Sequence, residues 1–274
     1  MIEYKSTMIK NIQHLLLLAT IVVAFVGCNS KDFTIVGQLN GGANKTIYIE
    51  ELTPNGPLFI DSIRLDKNGH FKFSYEMPYQ SFYNLHTSPT FYVMLLPENG
   101  EKIEITGDYD HLETSYEVRG SAGSILLWQL QAYGNDGNER LKEVVAKDQE
   151  NQRLYGVESA DYRKAKELTD SLYFDIYTDQ SSYVKQFIEE HRGSLATMIA
   201  LYKPLGRDHA LIDINRDPSL LYYYDEVLDG LEESLPDNPH TLHFKNSVAH
   251  LHHRYEVYQQ RQQMENQAVI TMGE

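Results

Sequence analysis

Cysteine is almost absent from this sequence, which contains one cysteine and one tryptophan among 274 residues. The single thiol, Cys28, excludes an internal disulfide, a Cys-x-x-Cys redox pair and a cysteine-based zinc site within the chain. Positive charge is also scarce, because 24 lysines and arginines stand against 39 aspartates and glutamates, for a formal net charge of -15. This charge opposes binding to nucleic acid or to an anionic membrane surface.

Recognised catalytic and nucleotide-binding motifs are missing as well. The sequence has no Gly-x-Ser-x-Gly, no phosphate-binding loop and no dinucleotide fingerprint. Adjacent carboxylates such as Glu189 and Glu190 do not point at a common site, because neighbouring side chains on a helix diverge. We therefore expect a chain that is not an enzyme and that binds no cofactor.

An apolar run at residues 15–26 follows Lys5 and Lys10 and ends next to Cys28. The run is too short for a comfortable membrane span and is typical of a signal peptide, although an uncleaved anchor helix with an incidental cysteine is the alternative. Residues 25–28, Phe-Val-Gly-Cys, resemble the lipobox of bacterial lipoproteins, in which the cysteine after the cleavage site is acylated. We therefore predict lipidation at Cys28 and a lipid-anchored protein of the cell envelope that faces the periplasm.

Short apolar strands alternate with turn residues from Phe33 to Arg119. The predicted strands cover residues 33–39, 46–50, 58–65, 70–75, 82–86, 91–96, 102–106 and 115–118. Strands at this spacing favour an antiparallel β-sandwich or a partly open barrel. The third turn is the most defined, because a three-residue loop at 67–69 would pair Leu65 with Phe71 and Ile63 with Phe73 in a β-hairpin, with Gly69 in the left-handed region.

From Gly120 onward the apolar period changes from 2 to 3.6, which predicts a helical array and an α+β fold overall. Ser121 is the predicted cap of the first helix, and breaks are expected at the glycine-rich stretch 134–138 and near Gly156. Asp217 and Asn238 each precede a proline and predict two further helix starts. Residues 266–274 leave the helical pattern and look β-like.

Five stretches follow from these patterns. They are a lipoprotein signal peptide at 1–27, an acylated anchor and linker at 28–32, a β-sandwich domain at 33–120, a helical segment at 121–265 and a tail at 266–274 that leads towards a missing domain.

A family resemblance rests on the order of several motifs. These are Phe33-Thr-Ile-Val-Gly-Gln-Leu39, Asn68-Gly-His-Phe-Lys-Phe73, Pro97-Glu-Asn-Gly-Glu-Lys-Ile-Glu-Ile-Thr-Gly107 and Tyr116-Glu-Val-Arg-Gly-Ser121. In this order they resemble the N-terminal domain of unknown function of Bacteroidota lipoproteins that precedes a thioredoxin-like domain. The resemblance implies a role in envelope thiol-disulfide exchange, with an envelope thioredoxin-like protein or domain as the partner. The thioredoxin-like domain itself is absent from this sequence, so the chain is expected to be the front portion of a longer oxidoreductase or a relative that lost that domain.

Five histidines near the C-terminus form the densest group of candidate metal ligands: His240, His243, His250, His252 and His253. His250 and His253 lie one helical turn apart and are the candidate pair for one metal ion. No carboxylate completes a recognised motif, so we expect no metal site and a solvent-facing or partner-facing histidine helix.

An aromatic series is the remaining candidate: Tyr75, Tyr79, Phe82, Tyr83, Phe91 and Tyr92. These side chains either form the core and rim of the sandwich, which we favour, or a sugar-stacking platform. The sequence therefore predicts a non-catalytic, lipid-anchored envelope module that serves as spacer and partner-docking scaffold for a thioredoxin-like thiol-disulfide oxidoreductase. The alternative is a glycan- or peptide-binding cell-envelope lipoprotein, and a metal-dependent hydrolase is the third hypothesis.

Overall fold

A computed structural model describes residues 32–88, 91–207 and 209–272. The predicted signal peptide at 1–27 and Cys28 lie outside the described residues, as does the linker up to residue 31. Within the described part of the chain, every helix is too short or too polar to cross a bilayer.

Eight strands in the N-terminal part form two four-stranded sheets. They are β1 (Asp32–Asn40), β2 (Thr46–Thr53), β3 (Gly56–Arg64), β4 (His70–Glu76), β5 (Phe82–Ser88), β6 (Phe91–Leu95), β7 (Lys102–Asp108) and β8 (Glu117–Arg119). The first sheet has the order β4-β1-β7-β8 and the second β3-β2-β5-β6, and neither closes into a barrel. The predicted sandwich and the α+β class are confirmed.

One strand pair departs from the antiparallel expectation. β1 and β7 run parallel, with Ile35 opposite Ile103 and Gly37 opposite Ile105. Parallel neighbours need a long crossover, and here the chain builds the whole second sheet between β1 and β7 before it returns. The other pairs in both sheets are antiparallel.

The predicted hairpin between β3 and β4 is wrong. Ile63 lies opposite Ile47 of β2, and Phe73 lies opposite Ile35 of β1, so the two strands belong to different sheets. The turn itself is present, because Gly69 has φ 79° and its N–H donates to the Asp66 carbonyl at 3.0 Å. Alternation identifies the apolar face of a strand but not its partner, and both strands turn this face towards one shared core.

The core of the sandwich lies between the inner faces of the two sheets. Phe33 of β1 and Tyr83 of β5 are both fully buried, and their ring centroids lie 4.8 Å apart across the sheet interface. Ile47, Ile49, Leu85 and Ile105 belong to the same cluster. Burial of apolar area at roughly 25 cal/mol per Å² makes this cluster the main source of stability for the N-terminal part.

Six α-helices lie in the described residues: α1 (Leu112–Ser115), α2 (Ala122–Tyr155), α3 (Ala160–Glu190), α4 (Ala196–Leu201), α5 (Leu221–Ser234) and α6 (Pro239–Met272). Two 3-10 turns (Tyr109–His111 and Pro218–Leu220) and a short ribbon, β9 (Pro204–Leu205) with β10 (His209–Ala210), complete the fold. The predicted caps are confirmed, since Ser121 accepts from Ser124 N at 3.2 Å and Asn238 accepts from His240 N at 2.9 Å.

Two predictions about helix limits are wrong. α2 continues through residues 134–138, where a Cβ at Gly137 would collide with the side chain of Gln180 on α3. Gly137 is therefore a close-approach residue within a helix rather than a helix breaker. α6 also continues as far as Met272, through most of the predicted β-like tail at 266–274.

A second hydrophobic cluster joins the helices to the outer face of the sandwich. It contains Phe82 and Leu96 from the β part together with buried residues such as Leu130, Val184 and Val227 from α2, α3 and α5. The helical layer therefore covers one end of the second sheet, next to its edge strand β6.

The turn at Gly69 gives a test of the β fold. A Cβ at Gly69 would collide with the Leu39 carbonyl oxygen, whereas Gly41, at φ 71°, has nothing within 4 Å. Both Gly69→Val and Gly41→Val carry the strain of a β-branched residue at positive φ, roughly 1–3 kcal/mol. We expect Gly69→Val to lower the free energy of unfolding in urea by at least about 1 kcal/mol more than Gly41→Val does. Equal losses would show that the packing of this turn on β1 is not as described.

Candidate functional site

A pocket opens where the edge strand β6 meets the helical layer, and we call it the junction pocket. It has a volume of about 360 Å³. Its walls include Tyr92, Met94, Glu113, Leu127, Gln131 and Lys203. These residues come from β6, α1, α2 and the segment between α4 and β9, so the site forms only when the sandwich and the helices pack together.

Lys203 supplies the positive charge of the junction pocket. Its Nζ donates to Gln131 Oε1 at 2.7 Å, and its main chain is held by bonds to Ala200 O and from Leu211 N. Burial lowers the pKa of Lys203 to about 8, because the half-buried ammonium loses part of its hydration. The Lys203 ammonium is therefore held in a fixed position, and it keeps N–H donors that the bond to Gln131 does not use.

Glu113 supplies the negative charge on α1. Leu112 anchors this short helix in the sandwich core, and Tyr116 N donates to Leu112 O at 3.2 Å. One carboxylate oxygen of Glu113, Oε2, is buried without a hydrogen-bond partner. Lys203 bonds to Gln131 and not to Glu113, so the pocket presents two separate charges of opposite sign.

The outer face of the second sheet continues the pocket wall across three strands. Tyr48, His86 and Tyr92 lie opposite one another in register, and the rings of Tyr48 and His86 stack at 5.5 Å. Glu50 Oε2 lies 3.6 Å from His86 Nε2, which is too long for a strong hydrogen bond. Both ring nitrogens of His86 are buried without a hydrogen-bond partner, so this face has unused hydrogen-bonding groups next to exposed aromatic rings.

A second cleft of about 470 Å³ lies between α2 and α3, and we call it the aromatic cleft. Trp128, Tyr133, Tyr183 and Phe187 line it, and the rings of Tyr133 and Tyr183 stack at 3.7 Å. The Tyr133 hydroxyl donates to Asp179 Oδ1 at 2.9 Å, and burial together with this carboxylate raises the pKa of Tyr133 to about 12. The cleft offers flat apolar rings rather than a nucleophile or an acid.

The histidine group does not converge on one point. His240 is buried, with Nε2 3.0 Å from Ser81 Oγ, and His252 Nε2 lies 2.7 Å from Asp225 Oδ1. His250 and His253 are exposed, and the described residues contain no cluster of three potential metal ligands. The expectation of a solvent- or partner-facing helix is therefore wrong for His240, which faces the connection between β4 and β5.

The aromatic series divides between core and surface. Phe82 and Tyr83 are buried, Tyr75 and Tyr79 are half-buried, and Tyr92 is exposed in the junction pocket, while the side chain of Phe91 lies outside the described residues. The favoured core-and-rim interpretation is confirmed for the described members. Tyr92 is the member that reaches a candidate site.

Glu113, Gln131 and Lys203 were not identified from the sequence. They are separated by up to 90 positions, and no periodic or spacing signal connects a glutamate on a short helix with a lysine after another helix. Glu51 on β2 is buried beside Tyr79 and Tyr83, and its Oε1 has no hydrogen-bond partner. It was also missed, because in the sequence it is only one of two adjacent acidic residues.

His240 predicts a pH dependence of stability. Burial, with a smaller contribution from His243, lowers its pKa from 6.5 to about 4. The unfolded chain therefore takes up a proton first, so stability is complete above pH 6.5 and falls as the pH drops from 6.5 to 4, by on the order of 3 kcal/mol. We expect urea denaturation at pH 7.0, 5.5 and 4.5 to show this slope in the wild type and in the exposed-site control His253→Gln, and a flatter slope in His240→Asn. Parallel slopes in all three proteins would contradict the assignment.

The comparisons with known proteins concern the β part of the chain. Residues 33–126 match the model of a family described as a domain of unknown function, DUF4369. Searches of curated proteins and of solved structures found no match. The matched range covers both sheets and ends in the first turns of α2, so it includes the capping residue Ser121. The match of residues 33–126 is consistent with an N-terminal domain of unknown function.

Proposed function

We propose that this protein is a non-catalytic, lipid-anchored envelope module that serves as spacer and partner-docking scaffold for a thioredoxin-like thiol-disulfide oxidoreductase. The anchor is the acylated Cys28, and the module faces the periplasm. The partner class follows from the family resemblance, and the spacer and docking roles are supported by the helices that extend beyond the packed body.

The ends of two neighbouring helices project from the core, and this projection is the main support for a docking role. Residues 145–172, the loop-proximal parts of α2 and α3 with their connection, lie outside both hydrophobic clusters, and we call them the helical arm. The arm exposes apolar side chains: Val145, Leu154, Tyr155, Val157 and Leu168. Leu154, Tyr155 and Val157 lie together at the tip, and exposed apolar side chains at the end of an otherwise polar projection are typical of a protein-binding surface.

Polar contacts stiffen the helical arm. The Tyr162 hydroxyl donates to Asp148 Oδ1 at 3.2 Å, Gln152 Nε2 donates to that hydroxyl at 3.1 Å, and Thr169 Oγ1 donates to Asp148 Oδ1 at 3.4 Å. These bonds connect the two helices where hydrophobic packing is thin. A stiff arm presents its tip in one place, which lowers the entropic cost of docking.

α6 provides the second projection. Its N-terminal part packs through Phe244 and Val248, whereas residues 256–262 are exposed except for the half-buried Val257. At 1.5 Å per residue, the part from Glu256 to Met272 adds about 25 Å of helix. A projecting helix of this kind would keep a partner that docks near its end at a distance from the lipid anchor.

The second candidate function is glycan binding, which the aromatic cleft favours. Trp128 and Tyr183 offer flat rings beside polar side chains such as Gln186 and Glu190, a combination suited to sugar stacking. Trp128 is the single tryptophan of the chain. A change of its emission on addition of a glycan would therefore favour this candidate.

Docking is tested with the purified full chain in detergent and a purified envelope thioredoxin-like protein. We expect Leu154→Asp combined with Val157→Asp to weaken binding at least about tenfold, because two exposed apolar contacts of 58% and 55% accessibility are replaced by charges. The matched control is Leu242→Asp, at a leucine of 50% accessibility on α6, which should bind as the wild type does. Equal affinity of the arm variant and the control would exclude the arm as the docking surface.

The anchor is tested in cells by Cys28→Ala. Loss of the acceptor sulfur should abolish incorporation of labelled fatty acid and move the protein from the membrane to the soluble fraction, because the acyl chains supply the membrane affinity. Ser30→Ala is the control and should stay membrane-bound. Continued labelling of the Cys28→Ala variant would overturn the lipoprotein assignment.

A further inference from the structure

The junction pocket holds a carboxylate and an ammonium that the fold keeps apart. Lys203 uses one donor on Gln131, and Glu113 keeps one buried oxygen without a hydrogen bond. Removing ionised groups from water costs free energy unless they are paired, and these two groups are not paired with each other. The unbonded oxygen of Glu113 and the remaining N–H donors of Lys203 leave room for a third group that bonds to both.

Both charges stand on rigid elements. Glu113 is carried by α1, whose Leu112 is fully buried in the sandwich core. Lys203 follows α4 directly, where Leu201 and Ala200 are buried, and its carbonyl accepts from Leu211 N at 3.1 Å. The separation of the two charges is therefore set by the packing of the helices against β6 rather than by flexible loops.

The remaining walls set the size and character of a ligand. Leu127, Ile199 and Met94 supply apolar surface, and Tyr92 and Tyr202 stand at the rim with 45% and 59% of their surface exposed. A volume of about 360 Å³ admits a molecule of amino-acid to dipeptide size. A dicarboxylate would place one of its carboxylates against Glu113, and a diamine would place one of its ammonium groups against Lys203, so both ligand classes are disfavoured.

We propose that the junction pocket binds a small zwitterion of the α-amino acid or dipeptide class. Lys203 Nζ donates to the carboxylate of the ligand, the Glu113 carboxylate accepts from its ammonium, and the side chain of the ligand lies on Leu127, Ile199 and Met94. This binding activity is independent of the helical arm and of the lipid anchor, and it involves no covalent step.

The test is isothermal titration calorimetry on the full chain in detergent, with each standard α-amino acid and the dipeptides Ala-Ala and Gly-Leu as probes. We expect at least one probe to bind with 1:1 stoichiometry and a Kd below about 1 mM. Lys203→Met and Glu113→Gln should each weaken that probe at least about tenfold, since each removes a charged hydrogen-bond partner. The exposed pair Lys102 and Glu104 provides matched controls, and Lys102→Met and Glu104→Gln should leave the affinity unchanged.

Ligand analogues keep the test independent of how well the variants fold. For the wild-type chain, the N-acetyl and carboxamide forms of the best probe should each bind at least about tenfold more weakly than the parent. In Glu113→Gln the preference for the free amine should disappear, and in Lys203→Met the preference for the free carboxylate should disappear. The absence of any binding probe, or equal binding of the parent and both analogues to the wild type, would overturn the proposal.

Discussion

Two serine hydroxyls at the start of α2 hold the helical layer on the sandwich. Ser124 Oγ accepts from Leu96 N at 3.0 Å, Ser121 Oγ donates to Leu96 O at 3.3 Å, and the two hydroxyls lie 2.9 Å apart, all buried. Gly123 adds to this contact, because a Cβ there would press on Leu96. The residue after the edge strand β6 thus receives its backbone bonds from a helix cap instead of another strand. The orientation of α2, and with it the junction pocket and the helical arm, depends on this contact.

A second contact closes the other side of the same interface. His240 faces Ser81, Asn238 Nδ2 donates to Gln80 O at 2.8 Å, and the rings of Phe82 and His240 lie 5.3 Å apart. The start of α6 is thereby fixed to the connection between β4 and β5. With both ends of the helical layer attached, the sandwich and the projecting helices form one body, which is the property that a spacer between a membrane anchor and a partner needs.

Features that depend on residues close together in the sequence could be predicted, whereas features that depend on contacts far along the chain could not. Strand positions and helix caps such as Ser121 and Asn238 depend on residues within a few positions, and these predictions are confirmed. Strand partners depend on contacts far along the chain, so the apolar faces of β3 and β4 were identified correctly while their pairing was not. Gly137 looked like a helix break because the reason for the glycine, Gln180 on the next helix, lies outside any local window. Glu113 and Lys203 line the same pocket only because of the same long-range packing.

We expect the sandwich and the helical layer to unfold together, and native-state hydrogen exchange of Ser124→Ala tests this coupling. The substitution leaves Leu96 N without its buried acceptor, which costs about 1–3 kcal/mol. Amides in β7, such as Ile103, and in α3, such as Val184, should exchange with similar free energies in the wild type and should lose protection by equal amounts in the variant. Ser181→Ala, which removes a hydroxyl that donates to Leu211 O at 3.1 Å within the helical layer, is the comparison. Loss of protection in α3 with β7 unchanged would show that the two parts unfold separately, because the sandwich would then be stable without the helices.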